Sequence, residues 1–278
     1  GRGRRITPSP VKEFAVQHGL PCLQPEKLKD AAFVYKIKEI KPDLIVTAAY
    51  GKILPPKILS LPRCGCVNIH ASLLPLFRGA APIQRSIMAG ARETGVTIYL
   101  MDEGMDTGPV IIQKRTTIAE GETCGELTQK LSFLGSEALL EALDMLKNEG
   151  NWRTVPQDEA KATYAPPIKA EEELLDWEKR GREIANCING LSPVPGAYTF
   201  FKGRRMKILR AKTCSLEGAP GRVIKVSRDD FVVGARERSV LILEVQPAGK
   251  KKISAGDFIR GYALSPGERL GLNSQEEA

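Results

Sequence analysis

The chain has 278 residues, a formal net charge of +8 and a pI of about 9.2, and 42% of its residues are hydrophobic. These values exclude a largely disordered chain, allow one large domain or two ordinary ones, and favour a polyanionic partner. No stretch has the apolar length of a membrane span, so no membrane association is expected. The six scattered cysteines form neither a disulfide framework nor a zinc-site pattern, which predicts reduced thiols and no metal.

The first half of the chain alternates helical patterns with apolar runs, after a basic, proline-containing loop over residues 1–10. Helical spacing occurs over 11–18, 27–40, 56–60 and 82–89, and strand patterns occur over 43–49, 67–70 and 95–100. This alternation predicts an α/β domain with a doubly wound parallel sheet. Ligands of such sheets bind at the carboxyl ends of the strands.

The second half of the chain predicts a different architecture. Leucines near helical spacing predict a long amphipathic helix over 124–147, and a further helix is expected over 179–190. Short strand patterns separated by Gly, Pro and charged turns follow at 197–201, 205–212, 221–227, 230–235 and 239–246. They predict a small β-barrel of OB-like type. We therefore expect an α/β domain over 1–150, a proline-containing linker over 151–168 and a β-barrel domain over 169–272.

His70 is one of only two histidines and follows a predicted strand, with Asn68 two residues before it. Side chains at i and i+2 of a strand point to the same face, so a hydrogen-bond donor lies beside a proton acceptor of pKa about 6.5. A carboxylate from a distant loop, such as Asp106, could orient the ring and stabilise its charged form. Alternatively, His70 and Asn68 only close the strand end, and Asp106 forms an Asx-type turn before Gly108.

Three segments then carry a resemblance: 68–75 (NIHASLLP), 78–84 (RGAAPIQ) and 101–108 (MDEGMDTG). Together they resemble the folate-dependent formyltransferases, in particular those that act on methionyl-tRNA, and the likeness extends to about Gly271. It implies that Asn68, His70 and Asp106 are the catalytic set, and that Ser72, Leu73, Leu74 and Pro75 contact the folate. The implied reaction moves a formyl group from 10-formyltetrahydrofolate to the amino group of methionyl-tRNA, making formylmethionyl-tRNA for translation initiation.

Basic residues form three clusters that we expect to bind RNA, although a charged cluster is often only a solvated face. The candidates are Arg2, Arg4 and Arg5 in the opening loop, Arg204, Arg205 and Lys207 in the β-rich domain, and Lys250 and Lys251 in a turn. Arg78 either meets an acceptor phosphate or ribose or is a solvated charge. In the resembled family the opening loop reaches the acceptor stem of initiator tRNA, and the C-terminal domain holds the tRNA body.

The resemblance also sets the expected partners and leaves alternatives open. Initiator methionyl-tRNA and folate are expected, with a monomer in the bacterial cytoplasm or an organelle matrix and no obligate protein partner. Family members begin with a strand, a helix and a strand before the basic loop, whereas this sequence starts at that loop. We therefore expect it to fold poorly, or to show low activity, in comparison with a form extended at the N-terminus. Two alternative functions are left open: formyl transfer to a small-molecule amine, and RNA binding without catalysis.

Overall fold

The N-terminal part of the molecule is a four-stranded sheet flanked by helices. The computed structural model describes residues 8–271, so the predictions for Arg2, Arg4 and Arg5 lie outside it. The strands are β1 (Ile45–Ala48), β2 (Cys66–His70), β3 (Glu93–Leu100) and β4 (Val110–Thr117), in the spatial order β1-β2-β3-β4. The helices are α1 (Pro10–Gln17), α2 (Ala31–Ile40), α3 (Pro56–Leu59), α4 (Pro82–Met88) and α5 (Cys124–Glu149). Within residues 8–271, none of the helices is both long and apolar enough to cross a membrane.

The sheet is mixed, which confirms the α/β class but corrects the prediction of a parallel sheet. β1 and β2 run parallel, whereas β2–β3 and β3–β4 are antiparallel. The turn over 101–109 joins β3 to β4 directly, and a connection this short cannot make the crossover that parallel strands need. Strand β4 was not predicted, because its apolar start is followed by the polar run Gln113–Thr117.

Helix α5 covers one face of this sheet. It begins at a capping box in which the Thr123 hydroxyl accepts from the Glu126 amide and the Glu126 carboxylate accepts from the Thr123 amide. It ends before Gly150, whose left-handed backbone (φ 76°) favours glycine. Buried Leu127 and Leu131 pack with the valine and isoleucine side chains of β2 and β3. This packing supports β2, whose last residue is His70.

The C-terminal part is an antiparallel sheet with two helices. Its strands are β5 (Tyr198–Phe201), β6 (Arg204–Cys214), β7 (Val223–Val226), β8 (Phe231–Val233), β9 (Ser239–Pro247) and β10 (Ile253–Ser254), with α6 (Gly181–Leu191) before them and α7 (Ala255–Tyr262) after. The order is β5-β6-β9-β8-β7, with β10 on β9. The last described residues bond to both sheet edges: the Gly271 amide donates to the Phe200 carbonyl (2.9 Å) and the Leu270 amide to the Gly221 carbonyl (2.7 Å). This arrangement is consistent with the predicted small barrel.

The segment between α5 and α6 lies against the N-terminal sheet rather than crossing free solvent. Val155 exchanges two backbone hydrogen bonds with Val110 at the start of β4, both 2.8 Å. Further on, the Arg78 amide donates to the Thr163 carbonyl (2.8 Å) and the Ala165 amide donates to the Arg78 carbonyl (2.6 Å). The segment predicted as a linker therefore forms part of the surroundings of β2 and β4.

Candidate active site

The structure brings the three predicted catalytic residues together: Asn68 and Asp106 share a hydrogen-bonded network through Tyr99, and the His70 ring faces Asp106. Asn68 and His70 end β2, and Asp106 arrives from the turn between β3 and β4. His70 Nδ1 lies 3.6 Å from Asp106 Oδ2. Tyr99 links Asn68 to Asp106, because Asn68 Nδ2 donates to the Tyr99 hydroxyl (3.3 Å) and that hydroxyl donates to Asp106 Oδ1 (2.7 Å).

Tyr99 is a site residue that the sequence analysis missed. It lies directly opposite Asn68 in the antiparallel β2–β3 pair, and opposed side chains of such a pair share one face. The prediction of parallel strands gave no reason to expect Tyr99 opposite Asn68. Burial, and then the Asp106 carboxylate, raise the pKa of Tyr99. Its hydroxyl therefore stays protonated and can donate to Asp106 throughout the physiological pH range.

The His70 ring is buried and held in one tautomer. Only 5% of its side chain is exposed, and Nε2 lies 3.0 Å from the Phe77 carbonyl oxygen. A carbonyl can only accept, so Nε2 carries a proton and the neutral ring keeps its lone pair on Nδ1. Burial lowers the pKa of His70, while Asp106 and the Phe77 carbonyl oppose that shift. The arrangement favours a neutral imidazole that can accept a proton on Nδ1.

Asp106 is fixed as a carboxylate facing that lone pair. Its Oδ2 accepts from the Gly79 amide (2.7 Å), its Oδ1 accepts from Tyr99, and 13% of its side chain is exposed. The distance of 3.6 Å to His70 is too long for a hydrogen bond, as expected for two acceptors facing each other. A proton on Nδ1 would turn this contact into an ion pair.

The Asn68 amide is oriented by Thr47. The Thr47 hydroxyl lies 2.8 Å from Asn68 Oδ1 and donates to it, so the amide nitrogen points towards Tyr99. An amide nitrogen carries two protons, and among the described residues only Tyr99 accepts one of them. The second proton is available to an oxygen bound beside His70.

The predicted folate contacts, Ser72 to Pro75, follow His70 directly but are largely satisfied within the protein. The Ser72 hydroxyl donates to the Leu76 carbonyl (2.5 Å), and Thr97 Oγ1 donates to the Ser72 carbonyl and accepts from the Leu74 amide. Ser72, Leu73 and Leu74 are buried, with Leu73 packed against β3 at Gly95. The segment forms a rigid wall beside His70, and its contact with folate stays a prediction.

The expectation of a solvated or RNA-facing charge at Arg78 is not met in this structure. Its side chain is only 1% exposed. Its guanidinium donates twice to Glu159 (2.6 and 2.8 Å) and twice to Gln157 Oε1 (2.7 and 3.1 Å). A buried cation requires such partners, and here the segment before α6 supplies them. Arg78 therefore acts inside the protein in this structure.

The basic residues of the C-terminal domain lie at a separate surface. Arg205, Lys207 and Lys250 line a cavity of about 350 Å³ with residues 246–249. The Arg205 guanidinium lies 3.6 Å from the centre of the Tyr198 ring. Arg204 and Lys251 are exposed, and the Lys207 ammonium donates to the Pro195 carbonyl. Two predicted RNA clusters, separate in sequence, thus share one basic cavity, and His70 does not line it.

Within residues 8–271, no group of three or more His, Cys, Asp or Glu side chains is placed to hold a metal ion. A second, larger cavity of about 780 Å³ lies between the two domains, lined by residues of α4, α6 and β6 together with 117–122. His70 does not line that cavity either. The catalytic candidates form a compact polar cluster that is separate from both of these cavities.

Comparisons with known proteins agree along the whole chain. Residues 1–143 match the family described as "Formyl transferase", and residues 167–263 match "Formyl transferase, C-terminal domain". The methionyl-tRNA formyltransferase of Carboxydothermus hydrogenoformans is 47% identical over 270 residues, covering 96% of this chain and 87% of that protein. The methionyl-tRNA formyltransferase of Bacillus velezensis is 46% identical over 279 residues, covering 99% and 88% respectively.

Solved structures with lower identity share the fold. HypX from Aquifex aeolicus in complex with tetrahydrofolic acid aligns with a TM-score of 0.65 at 22% identity, over 84% of this chain and 41% of HypX. An N-formyltransferase from Helicobacter canadensis, in complex with folinic acid and dTDP-3-aminofucose, aligns with a TM-score of 0.66 at 17% identity, over 84% and 81%. The two matching domains and the identities of 47% and 46% show that this chain belongs to the methionyl-tRNA formyltransferases.

Proposed function

We propose that the protein transfers a formyl group from 10-formyltetrahydrofolate to the amino group of methionyl-tRNA, and so makes formylmethionyl-tRNA for translation initiation. The relatives that match nearly the full chain carry this name. The observation that carries the proposal is the Asn68–Tyr99–Asp106–His70 network at the end of β2. It supplies a free amide donor and a neutral proton acceptor side by side, which formyl transfer to an amine requires.

The network suggests a division of roles. The free N–H of Asn68 donates to the formyl oxygen and stabilises the negative charge that develops on it. His70 accepts the proton of the attacking amine on Nδ1, while Nε2 keeps its own proton and continues to donate it to the Phe77 carbonyl. Asp106 then stabilises the imidazolium until the proton passes to the leaving nitrogen. Tyr99 and the Gly79 amide keep Asp106 in place.

The folate supplies the formyl carbon and a planar ring system, and the surroundings of the network suit such a ligand. Tyr50 follows β1, Met105 precedes Asp106, and Ile53 lies in the loop after β1. All three are large apolar side chains that are 46%, 56% and 73% exposed. Exposed apolar side chains beside a few fixed polar groups are typical of sites for small aromatic ligands. The wall over 72–75 would limit where the ring can lie.

The basic cavity supports the proposal that RNA is the acceptor. Arg205, Lys207, Lys250 and the exposed Arg204 and Lys251 supply positive charge, which is the sequence-tolerant part of RNA binding. We propose that they contact the tRNA body, and that Arg2, Arg4 and Arg5 contact the acceptor stem. Initiator tRNA as the preferred acceptor, a monomeric state and a location in the bacterial cytoplasm stay predictions; the bacterial relatives support the last.

The decisive experiment measures formyl transfer from 10-formyltetrahydrofolate to methionyl-tRNA by the wild type and by His70→Ala. We expect the rate to fall by about 10² or more, because a positioned acid–base group contributes about 10² to 10⁴. The matched control is His18→Ala, since His18 is the other histidine and is exposed beside α1. Transfer by the wild type only to a small-molecule amine, or RNA binding without transfer, would reject the proposed acceptor or the proposed chemistry respectively.

A further inference from the structure

The side chain of Gln157 closes the turn that presents Asp106. Its Nε2 donates to the Asp106 carbonyl (2.8 Å) and to the Gly108 carbonyl (2.7 Å). Both protons of one amide are therefore used on two carbonyls of the same turn, and the side chain is half-buried. Gln157 belongs to the segment between α5 and α6, far from the turn in sequence.

The turn needs support from outside, because its backbone is unfavourable for its residues. Asp106 has a φ of 57°, in the left-handed region that costs a non-glycine residue free energy. Gly108 packs so closely on β3 that an added Cβ would lie 1.8 Å from the Leu100 carbonyl oxygen. Such conformations persist only where surrounding contacts fix them. Gln157 supplies two of those contacts.

Arg78 decides how the Gln157 amide is oriented. Its Nε and Nη2 both donate to Gln157 Oε1, at 3.1 and 2.7 Å. A guanidinium has no acceptor, so the amide oxygen must face Arg78 and the amide nitrogen must face the turn. The next residue, Gly79, donates its own amide to the Asp106 carboxylate. Residues 78 and 79 thus hold both the backbone of Asp106, through Gln157, and its side chain directly.

We propose that Gln157, oriented by Arg78, is a positioning residue that holds Asp106 against His70 during formyl transfer. The inference rests on the proposed function for the reaction, but the contacts themselves are independent of the substrate. It gives the segment between the two domains a part in the active site. The side chain of Gln157 hydrogen-bonds to Arg78 and to the backbone carbonyls of Asp106 and Gly108, so it acts through the position of Asp106.

The test uses Gln157→Met, which keeps the length of the side chain and removes both donors to the turn, together with the Oε1 acceptor of Arg78. We expect kcat to fall by roughly 10-fold to 10²-fold, the cost of a catalytic group misplaced by about 1 Å, with the KM for methionyl-tRNA changed by less than about twofold. The matched control is Asp158→Ala, the next residue, whose exposed carboxylate caps the turn at Ala160 and does not touch Asp106. The control removes one cap of the same segment and should keep the wild-type kcat.

A second measurement follows the His70 ring by NMR titration, without substrate. The groups that face the ring are the Asp106 carboxylate, the Phe77 carbonyl and the edge of Tyr99. The Asp106 carboxylate raises the pKa of His70. If Gln157→Met lets Asp106 move away from the ring, the midpoint of the His70 titration should therefore move to lower pH. A purely structural defect elsewhere would leave the midpoint unchanged.

The outcomes separate the two proposals. A Gln157→Met protein with wild-type kcat and an unchanged His70 midpoint would overturn the positioning role, and so would an equal loss of kcat in Asp158→Ala. If the wild type itself transfers no formyl group, the proposed function fails, and the His70 midpoint alone then decides whether Gln157 positions Asp106. Should Gln157→Met not fold, Gln157→Glu, which keeps the acceptor for Arg78 and loses the donors, is tested for kcat in its place.

Discussion

The pKa and the tautomer of His70 depend on its burial and on two neighbouring groups, the Phe77 carbonyl and the Asp106 carboxylate. An exposed imidazole has a pKa of about 6.5 and exchanges tautomers freely. In this site, burial disfavours the charged ring and the Phe77 carbonyl fixes the proton on Nε2. The sequence left open whether His70 is a base or a charged polariser. The observed geometry favours a base that becomes charged only during the reaction, with Asp106 ready to stabilise it.

We predict that the His70 ring of the wild-type protein titrates below pH 6.5, and that Asp106→Asn lowers this midpoint further. Burial lowers the pKa and the Asp106 carboxylate raises it, so removing the carboxylate leaves burial less opposed. NMR titration of the ring measures both values, and a His18→Gln variant assigns the signals because the chain has only two histidines. A wild-type midpoint at or above 6.5, or an upward shift in Asp106→Asn, would contradict the prediction.

At this scale, sequence motifs located Asn68, His70 and Asp106 but not the residues that orient them. Tyr99 enters the site through the antiparallel pairing of β2 and β3, and Gln157 enters through the path of the segment after α5. Both depend on tertiary contacts between positions distant in sequence. Arg78 was misplaced for the same reason, since its partners Gln157 and Glu159 lie in that segment.

Among the secondary-structure elements, those with strong periodicity were predicted well and strand direction was not. Helix α5 and the strands β5 to β9 lie within a few residues of their predicted ranges, because amphipathic spacing and turn residues are local signals. Strand direction is set by how a connection returns along the sheet, and the short turn over 101–109 makes β3 and β4 antiparallel. That turn is also the one that carries Asp106.

Helix α5 leads to a prediction about what stabilises the N-terminal sheet. Leu127→Ala should lower the free energy of unfolding by about 2 to 5 kcal/mol, because it opens a cavity under β2 and β3 at a fully buried position. Leu140→Ala on the same helix is the matched control, since Leu140 is 64% exposed and should change stability by less than about 0.5 kcal/mol. Urea unfolding of both variants checks this, and similar losses would show that α5 does not stabilise the sheet through its buried face.

In the whole molecule, the candidate catalytic residues and the clustered basic residues lie in different domains. The candidate catalytic residues lie on the N-terminal sheet, whereas the cavity lined by Arg205, Lys207 and Lys250 lies in the C-terminal domain. The net charge of +8 indicated an anionic partner, but it could not show that the clusters at 204–207 and 250–251 converge. The antiparallel pairing of β6 with β9 brings them together, as it aligns Met206 with Pro247 just before that turn. A bound RNA would therefore span both domains to bring its aminoacyl end to His70.

This separation predicts that charge removal at the cavity weakens RNA binding without slowing the chemistry. Lys250→Ala should reduce the magnitude of the slope of log K against log salt concentration for methionyl-tRNA binding by about 0.7 to 0.9, which is the value for one phosphate contact. The kcat at saturating tRNA should stay unchanged. Lys147→Ala, an exposed lysine near the end of α5, is the matched control and should leave the slope as it is. Filter-binding titrations across a range of salt concentrations measure the slope. An equal change in both variants would mean that the effect comes from net charge alone, and no change in either would place the RNA on another surface.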